Sequence, residues 1–210
     1  MTTAIVDYRA GNLTSVRYAF DALGVATTVT RDPAVVRAAD RVVFPGVGAA
    51  KSAMESLAEL GLADAVRAAA ETKPFLGICL GMQILFEHSE EDGGVATLGI
   101  LPGQVRRFPS VPGFKVPEIG WNKVEAVSHR FNKEDGTSFS LKRRDSASPL
   151  EYYFVHSYYA ELCEWTAGVT EYAGVKFTAM AKKGRLWACQ FHPEKSGRVG
   201  LDLLKEWLSC

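Results

Sequence analysis

The residues best placed to do chemistry lie in Phe75-Leu76-Gly77-Ile78-Cys79-Leu80-Gly81, an apolar run that ends in Gly-x-Cys-x-Gly. A strand entering this turn and leaving it as a helix near Met82 and Gln83 is a nucleophile elbow, with cysteine in the place of serine. Gly77 and Gly81 suit a tight turn in which neighbouring atoms crowd a strained nucleophile. Sulfur at a helix N-terminus is favoured as the thiolate, its reactive form. A lone cysteine is more often a small buried hydrophobe. The flanking glycines and the strand-to-helix joint tip the reading toward a nucleophile.

A nucleophilic cysteine needs a base, and the base needs an orienting group. Of the histidines at 88, 129, 156 and 192, His192 stands in Cys189-Gln190-Phe191-His192-Pro193-Glu194, after a predicted strand. Active-site groups of open α/β sheets gather at such carboxyl ends. Pro193 is expected to keep the segment extended, so that His192 and Glu194 project to the same side. Alone, His-Pro-Glu is an ordinary strand-ending turn; beside the cysteine elbow it completes a Cys79–His192–Glu194 triad. Attack on an acyl carbon also requires donors for the oxyanion. The Leu80 N–H supplies one. Pro45-Gly46-Val47-Gly48, a turn ending another predicted strand, could supply the second, although by itself it is punctuation.

The elements that must position these groups follow from periodicity. Residues 3–7 and 41–44 read as short buried strands, 25–30 as a β-branched strand and 73–78 as the strand leading to Cys79. Residues 13–23 carry apolar side chains at helical spacing before Gly24. Further helices are expected over 49–60, 62–72 and 80–87. This alternation predicts a parallel sheet covered on both faces. From 99 to about 181 the pattern is strand-rich, consistent with antiparallel additions to that sheet. The polar stretch 129–149 reads as an exposed hairpin or loop. Residues 185–191 form a final strand and 197–208 a final helix.

Composition sets the frame. The chain has 210 residues, 47% hydrophobic and 23% charged, with 24 basic residues against 24 acidic ones. That is the composition of one compact globular domain over 1–210, with no bulk field to recommend nucleic acid. No basic flank and apolar run mark a signal peptide, and no stretch approaches the roughly eighteen apolar residues of a membrane span. The cysteines at 79, 163, 189 and 210 form no CxxC pair, which argues against zinc or a disulfide framework. A cytoplasmic location is the plain expectation.

With these residues in view, the sequence resembles the class I (triad) glutamine amidotransferases. Gly77-Ile78-Cys79-Leu80-Gly81-Met82-Gln83 and Phe191-His192-Pro193-Glu194 carry the match. Within that class it is similar to the glutaminase subunits of imidazole glycerol phosphate synthases, which serve histidine biosynthesis. That narrower resemblance rests on Asp7-Tyr8-Arg9-Ala10-Gly11-Asn12-Leu13, Pro45-Gly46-Val47-Gly48, Pro117-Glu118-Ile119-Gly120-Trp121-Asn122, Phe154-Val155-His156-Ser157-Tyr158-Tyr159, and Lys195-Ser196. It spans essentially the whole chain.

The resemblance implies a flavodoxin-like α/β domain that hydrolyses L-glutamine to glutamate and ammonia. Cys79 would form a thioester, His192 shuttle protons and Glu194 hold His192. Backbone around Val47 and Leu80 would form the oxyanion hole, with Gly46, Gly48 and Gly81 lining the substrate. Gln83 and Glu91 would recognise glutamine, and backbone at Ser157 and Tyr158 its α-carboxylate. Asn12, Trp121 and Lys195 would face a (β/α)₈-barrel cyclase subunit in a heterodimer. No metal or organic cofactor is implied. The family often has histidine where this chain has Glu118, a position expected near the interface, and 129–149 is longer than the usual connection.

Three other readings are open to the sequence. One is a glutaminase serving pyridoxal phosphate or anthranilate synthesis, against which the Pro-Gly-Val-Gly and Gly-Trp-Asn segments argue. Another is a free-standing cysteine hydrolase. The last is a non-catalytic regulatory binding subunit, against which the intact triad argues. An unpartnered glutaminase wastes glutamine, so a partner-dependent switch is also expected, built on rotation of the Gly46–Val47 peptide.

Overall fold

The computed structural model describes residues 1–9, 11–127 and 150–210. The expected loop over 129–149 lies outside the described residues. The first half alternates strand and helix: β1 (Thr3–Val6), α1 (Leu13–Ala22), β2 (Thr27–Thr30), α2 (Pro33–Ala38), β3 (Arg41–Gly46), α3 (Ala50–Glu59), α4 (Ala63–Thr72) and β4 (Phe75–Cys79). A single turn, α5 (Leu80–Gln83), follows Cys79. Then come β5 (His88–Ser89), β6 (Val95–Ala96), β7 (Gln104–Arg107), β8 (Glu118–Ala126), β9 (Leu150–His156), β10 (Tyr158–Ala160), β11 (Thr166–Tyr172), β12 (Val175–Lys183), β13 (Leu186–Cys189) and α6 (Gly197–Leu208).

Among the described residues, nine strands make one sheet in the order β2-β1-β3-β4-β13-β12-β11-β8-β9. The first five are parallel, and their 2-1-3-4-then-last order is that of flavodoxin-like sheets. The remaining pairings are antiparallel. Alternate residues of the parallel strands face opposite ways and build two cores. Ala4, Val42, Phe44 and Phe75 pack with α3 and α4, whereas Ile5, Val43, Leu76 and Ile78 pack with Val16 and Phe20 of α1 and Leu203 and Trp207 of α6. Burial on both faces explains why these strands read as continuous apolar runs.

The structure differs from the sequence expectation in several places. The strand-rich second half does not all join the main sheet: β10, β7, β5 and β6 form a separate four-stranded one. The segment 31–40, unassigned by periodicity, holds α2, started by Asp32, whose side chain accepts from Ala34 N–H, with Pro33 in the first turn. The strand at 41–44 continues through Pro45 and Gly46, opposite Ile78 and Cys79. Since Val42 N–H donates to Pro74, the even-numbered N–H groups of β3 face β4. The nitrogen of Pro45 therefore faces away, beyond where β1 pairs, and its missing N–H breaks no ladder bond.

The helix expected over 80–87 stops after one turn. Ile84 N–H reaches Leu80, but the next bonds tighten to Leu85–Met82 and Phe86–Gln83. The carbonyls of Ile84, Leu85 and Phe86, which would continue an α-helix, accept instead from Leu98, Gly99, Ile100 and Leu101. A tertiary competitor, invisible to helical periodicity, ends the element.

Candidate active site

Cys79 sits where β4 turns into α5, with φ +55° and ψ −113°. A non-glycine residue at such a φ costs of order 1–3 kcal/mol and persists only where its surroundings enforce it. Three glycines do so by letting backbones touch. A Cβ at Gly81 would lie 1.8 Å from the Phe44 carbonyl oxygen, and one at Gly77 would lie 3.0 Å from the Gly81 oxygen. At Gly46 it would meet the Tyr8 hydroxyl at 2.0 Å and the Gly81 nitrogen at 2.9 Å. Strand β3, the elbow and α5 are thus pressed together with no room for side chains between them.

His192 follows β13, the neighbour of β4 on its far side, so His192 and Cys79 come from the carboxyl ends of adjacent parallel strands. The expected extended His-Pro-Glu segment is instead a 3₁₀ turn, Pro193–Lys195, entered from an extended His192. Pro193, with its fixed φ, starts the turn rather than prolonging the strand. The turn still brings the Glu194 Oε1 to 2.7 Å from His192 Nδ1, with both side chains 2% exposed. Tyr153 of β9 accepts the His192 N–H, and Ser196 Oγ donates to the His192 carbonyl, fixing the ring's backbone.

Burial pulls the His192 imidazole toward its neutral form, but hydrogen bonding and charge from Cys79 and Glu194 outweigh it and push its pKa up to about 10. With Nδ1 held by Glu194, the interaction with sulfur falls to Nε2. Its contact with the sulfur falls short of full hydrogen-bond alignment, and it is the nitrogen placed to carry a proton to and from the sulfur. At the second thiol nearby, burial first, then the charges of Glu194 and Cys79, push the pKa of Cys189 up.

The class I glutamine amidotransferase family model matches residues 4–208. The chain belongs to that family. Among curated relatives, subunit HisH of imidazole glycerol phosphate synthase from Moorella thermoacetica is 47% identical over 207 residues, covering 97% of this chain and 92% of that protein. The same subunit from Desulfovibrio desulfuricans is 49% identical, covering 96% and 91%. A solved glutamine amidotransferase aligns over 100% of this chain and 98% of its own, with TM-score 0.71 and 17% identity, and so shares the fold.

The other residues that the family resemblance singles out are placed unevenly. Glu91 is half-buried on a 3₁₀ turn, and its Oε2 accepts from Ala50 N–H at the start of α3, directly after the Pro45–Gly48 turn. Burial raises its pKa, the Ala50 bond opposes this, and Asp92 adds to it. Gln83 is buried, and its Nε2 is committed to the Tyr158 carbonyl at 2.7 Å and Gln190 Oε1 at 2.9 Å. A bound amino acid can therefore meet only its oxygen. Phe108 N–H donates to Ser157, which makes Tyr158 and Arg107 a non-hydrogen-bonded pair and turns the Tyr158 N–H off that ladder. Val47 is 40% exposed, and Gly48 has φ +101° in open space.

On the outer edge, Asn12 and Lys195 are exposed, and Trp121 is 57% exposed beside Ile119 at 64%. Asn12 caps α1, accepting from Ser15 N–H at 3.3 Å. Trp121 lies opposite Tyr153 on β9, the residue that holds His192. Glu118 does not reach this face. It is buried, with Oε2 3.1 Å from His156 Nε2 and Oε1 accepting from Asn122 Nδ2. His156 Nδ1 lies 2.7 Å from the Tyr158 carbonyl, which only accepts, so that nitrogen carries a proton. Two buried residues, Gln190 and His156, lie within motifs quoted from the sequence but have no role assigned there; the fold brings both into the polar framework of the site.

Proposed function

We propose that this chain is the glutaminase subunit of an imidazole glycerol phosphate synthase, with Cys79 as nucleophile. The observation that carries the reading is full-length similarity to HisH subunits, joined to a strained cysteine and a paired His192–Glu194 at adjacent strand ends. The Cys79 thiolate attacks the side-chain amide carbon of L-glutamine. The C–N bond breaks, the nitrogen takes a proton from His192 and leaves as ammonia, and a thioester remains. Water, deprotonated by His192, then releases glutamate. The N–H groups of Leu80 and Val47 stabilise the oxyanion in both steps. Glu91 faces the α-ammonium group, and the N–H groups at Ser157 and Tyr158 the α-carboxylate.

Ammonia released into neutral water is protonated and loses its nucleophilicity. The product must therefore pass directly to an acceptor enzyme docked on this chain. In this reading the acceptor is a (β/α)₈-barrel cyclase, covering Asn12, Trp121 and Lys195 in a cytoplasmic heterodimer. The test is reconstitution: mixed with a bacterial cyclase subunit and its phosphorylated ribulosyl substrate, the chain should support glutamine-dependent synthesis. Glutamine hydrolysis without any product from the cyclase would point to another amidotransferase.

Within the triad, His192→Ala is expected to lower the glutaminase rate of that complex by about 10⁴ or more. Glu194→Gln should cost less, because it disturbs the orientation of the base rather than removing it. A silent Glu194→Gln would remove Glu194 from the orienting role.

A further inference from the structure

The single turn of α5 leaves little helix dipole at Cys79, so the thiolate depends on its side-chain neighbours, the His192 imidazole first among them. Gln190, wholly buried just past β13, donates from Nε2 to Cys79 Sγ at 3.7 Å. The orientation of this amide is fixed from outside. The Tyr158 carbonyl can only accept, so the Gln83 atom 2.7 Å from it is nitrogen. The same nitrogen donates to Gln190 at 2.9 Å, which makes that Gln190 atom the oxygen and leaves its Nε2 for sulfur. On another side, the Val155 carbonyl lies 3.9 Å from Sγ and suits the S–H form. Sulfur is thus held between an acceptor that satisfies the thiol and a donor that satisfies the thiolate.

We propose that Gln190 is the neutral donor that holds Cys79 as an aimed thiolate, and that Gln83 keeps the Gln190 amide turned the right way. The proposal rests on Cys79 being the nucleophile. A neutral donor suits this position. It favours S⁻ without adding the full charge that would overstabilise it, and its bond weakens as electron density passes from sulfur to the oxyanion. The expected effect therefore lies in how much thiolate is present rather than in how substrate binds.

The measurement is the rate of Cys79 alkylation by iodoacetamide against pH in the full chain, read by peptide mass spectrometry. Gln190→Met is expected to raise the midpoint by about one pH unit, or about tenfold less thiolate at neutral pH, equivalent to about 1.4 kcal/mol. Gln190→Glu keeps an acceptor for Gln83 but sets an anion on sulfur, and should raise it further. With the cyclase present, kcat should fall in parallel and recover at higher pH, and in Gln190→Glu, which keeps the acceptor that orients Gln83, KM should stay near the wild-type value. A role in packing alone would leave the midpoint where it is. Midpoints equal to wild type in the folded variants would overturn the proposal, and Gln190→Glu decides alone should Gln190→Met fail to fold. Wild-type Cys79 that alkylates no faster than Cys189 would overturn the nucleophile assignment itself.

Discussion

Cys79→Ala is expected to abolish glutamine-dependent synthesis by the complex while leaving ammonia-dependent synthesis near the wild-type rate. In the proposed function the elbow serves only the amide, and the acceptor chemistry belongs to another subunit. Removing a triad member from enzymes built this way costs about 10⁴ or more, so the loss reads as complete in a routine assay. The substitution removes one sulfur from a backbone braced by Gly46, Gly77 and Gly81, so the fold should hold. The check is to assay both nitrogen sources side by side. Loss of both activities would contradict a division of labour between two sites.

The isolated subunit is expected to hydrolyse glutamine slowly and to accelerate when the cyclase docks, and again when the cyclase binds its ligand. The register of β3 on β4 supplies the reason. Gly46 lies opposite Cys79, so the Gly46–Val47 peptide borders the elbow at which an oxyanion would form. One missing oxyanion donor costs about 10²–10³ in rate. Rotation of the Gly46–Val47 peptide would present the Val47 N–H as a second donor. Proline at Gly46 is a poor probe of this switch, because any Cβ there strikes the Tyr8 hydroxyl. Gly48 is the better position: it is open in space but has φ +101°, so Gly48→Ala meets no neighbouring atom yet strains the turn that carries the switch. The stimulated rate should fall in that variant. Equal hydrolysis by the subunit alone, in the complex, and in the liganded complex would refute the switch.

What the sequence disclosed was the chemistry written in contiguous motifs. Cys79 between its glycines, and His192 two residues from Glu194, could be paired because the strand-to-helix pattern places both at strand ends. The parallel half of the sheet was legible for the same reason, since runs such as 41–44 and 73–78 are buried on both faces. What was not legible came from partners distant in the chain. The loop at 98–101 captures the carbonyls that α5 would have used, and no local pattern announces that. Gln190 reads as one more strand residue until Gln83 and Tyr158 are folded against it. Glu118, expected near the interface, turns inward because His156 offers it a buried partner. The start of α2 is different: Asp32-Pro33 is a helix-start signal written in the local sequence itself.

The central claim is that Cys79 is acylated by the glutamine side chain, and trapping tests it most directly. The complex is incubated with an electrophilic glutamine analogue, digested, and the modified peptide sequenced by mass spectrometry. The account predicts one covalent adduct, on Cys79, suppressed by excess glutamine and strongly slowed by His192→Ala. A folded, cyclase-bound chain that takes no adduct, or takes it on Cys163, Cys189 or Cys210 in place of Cys79, would contradict it.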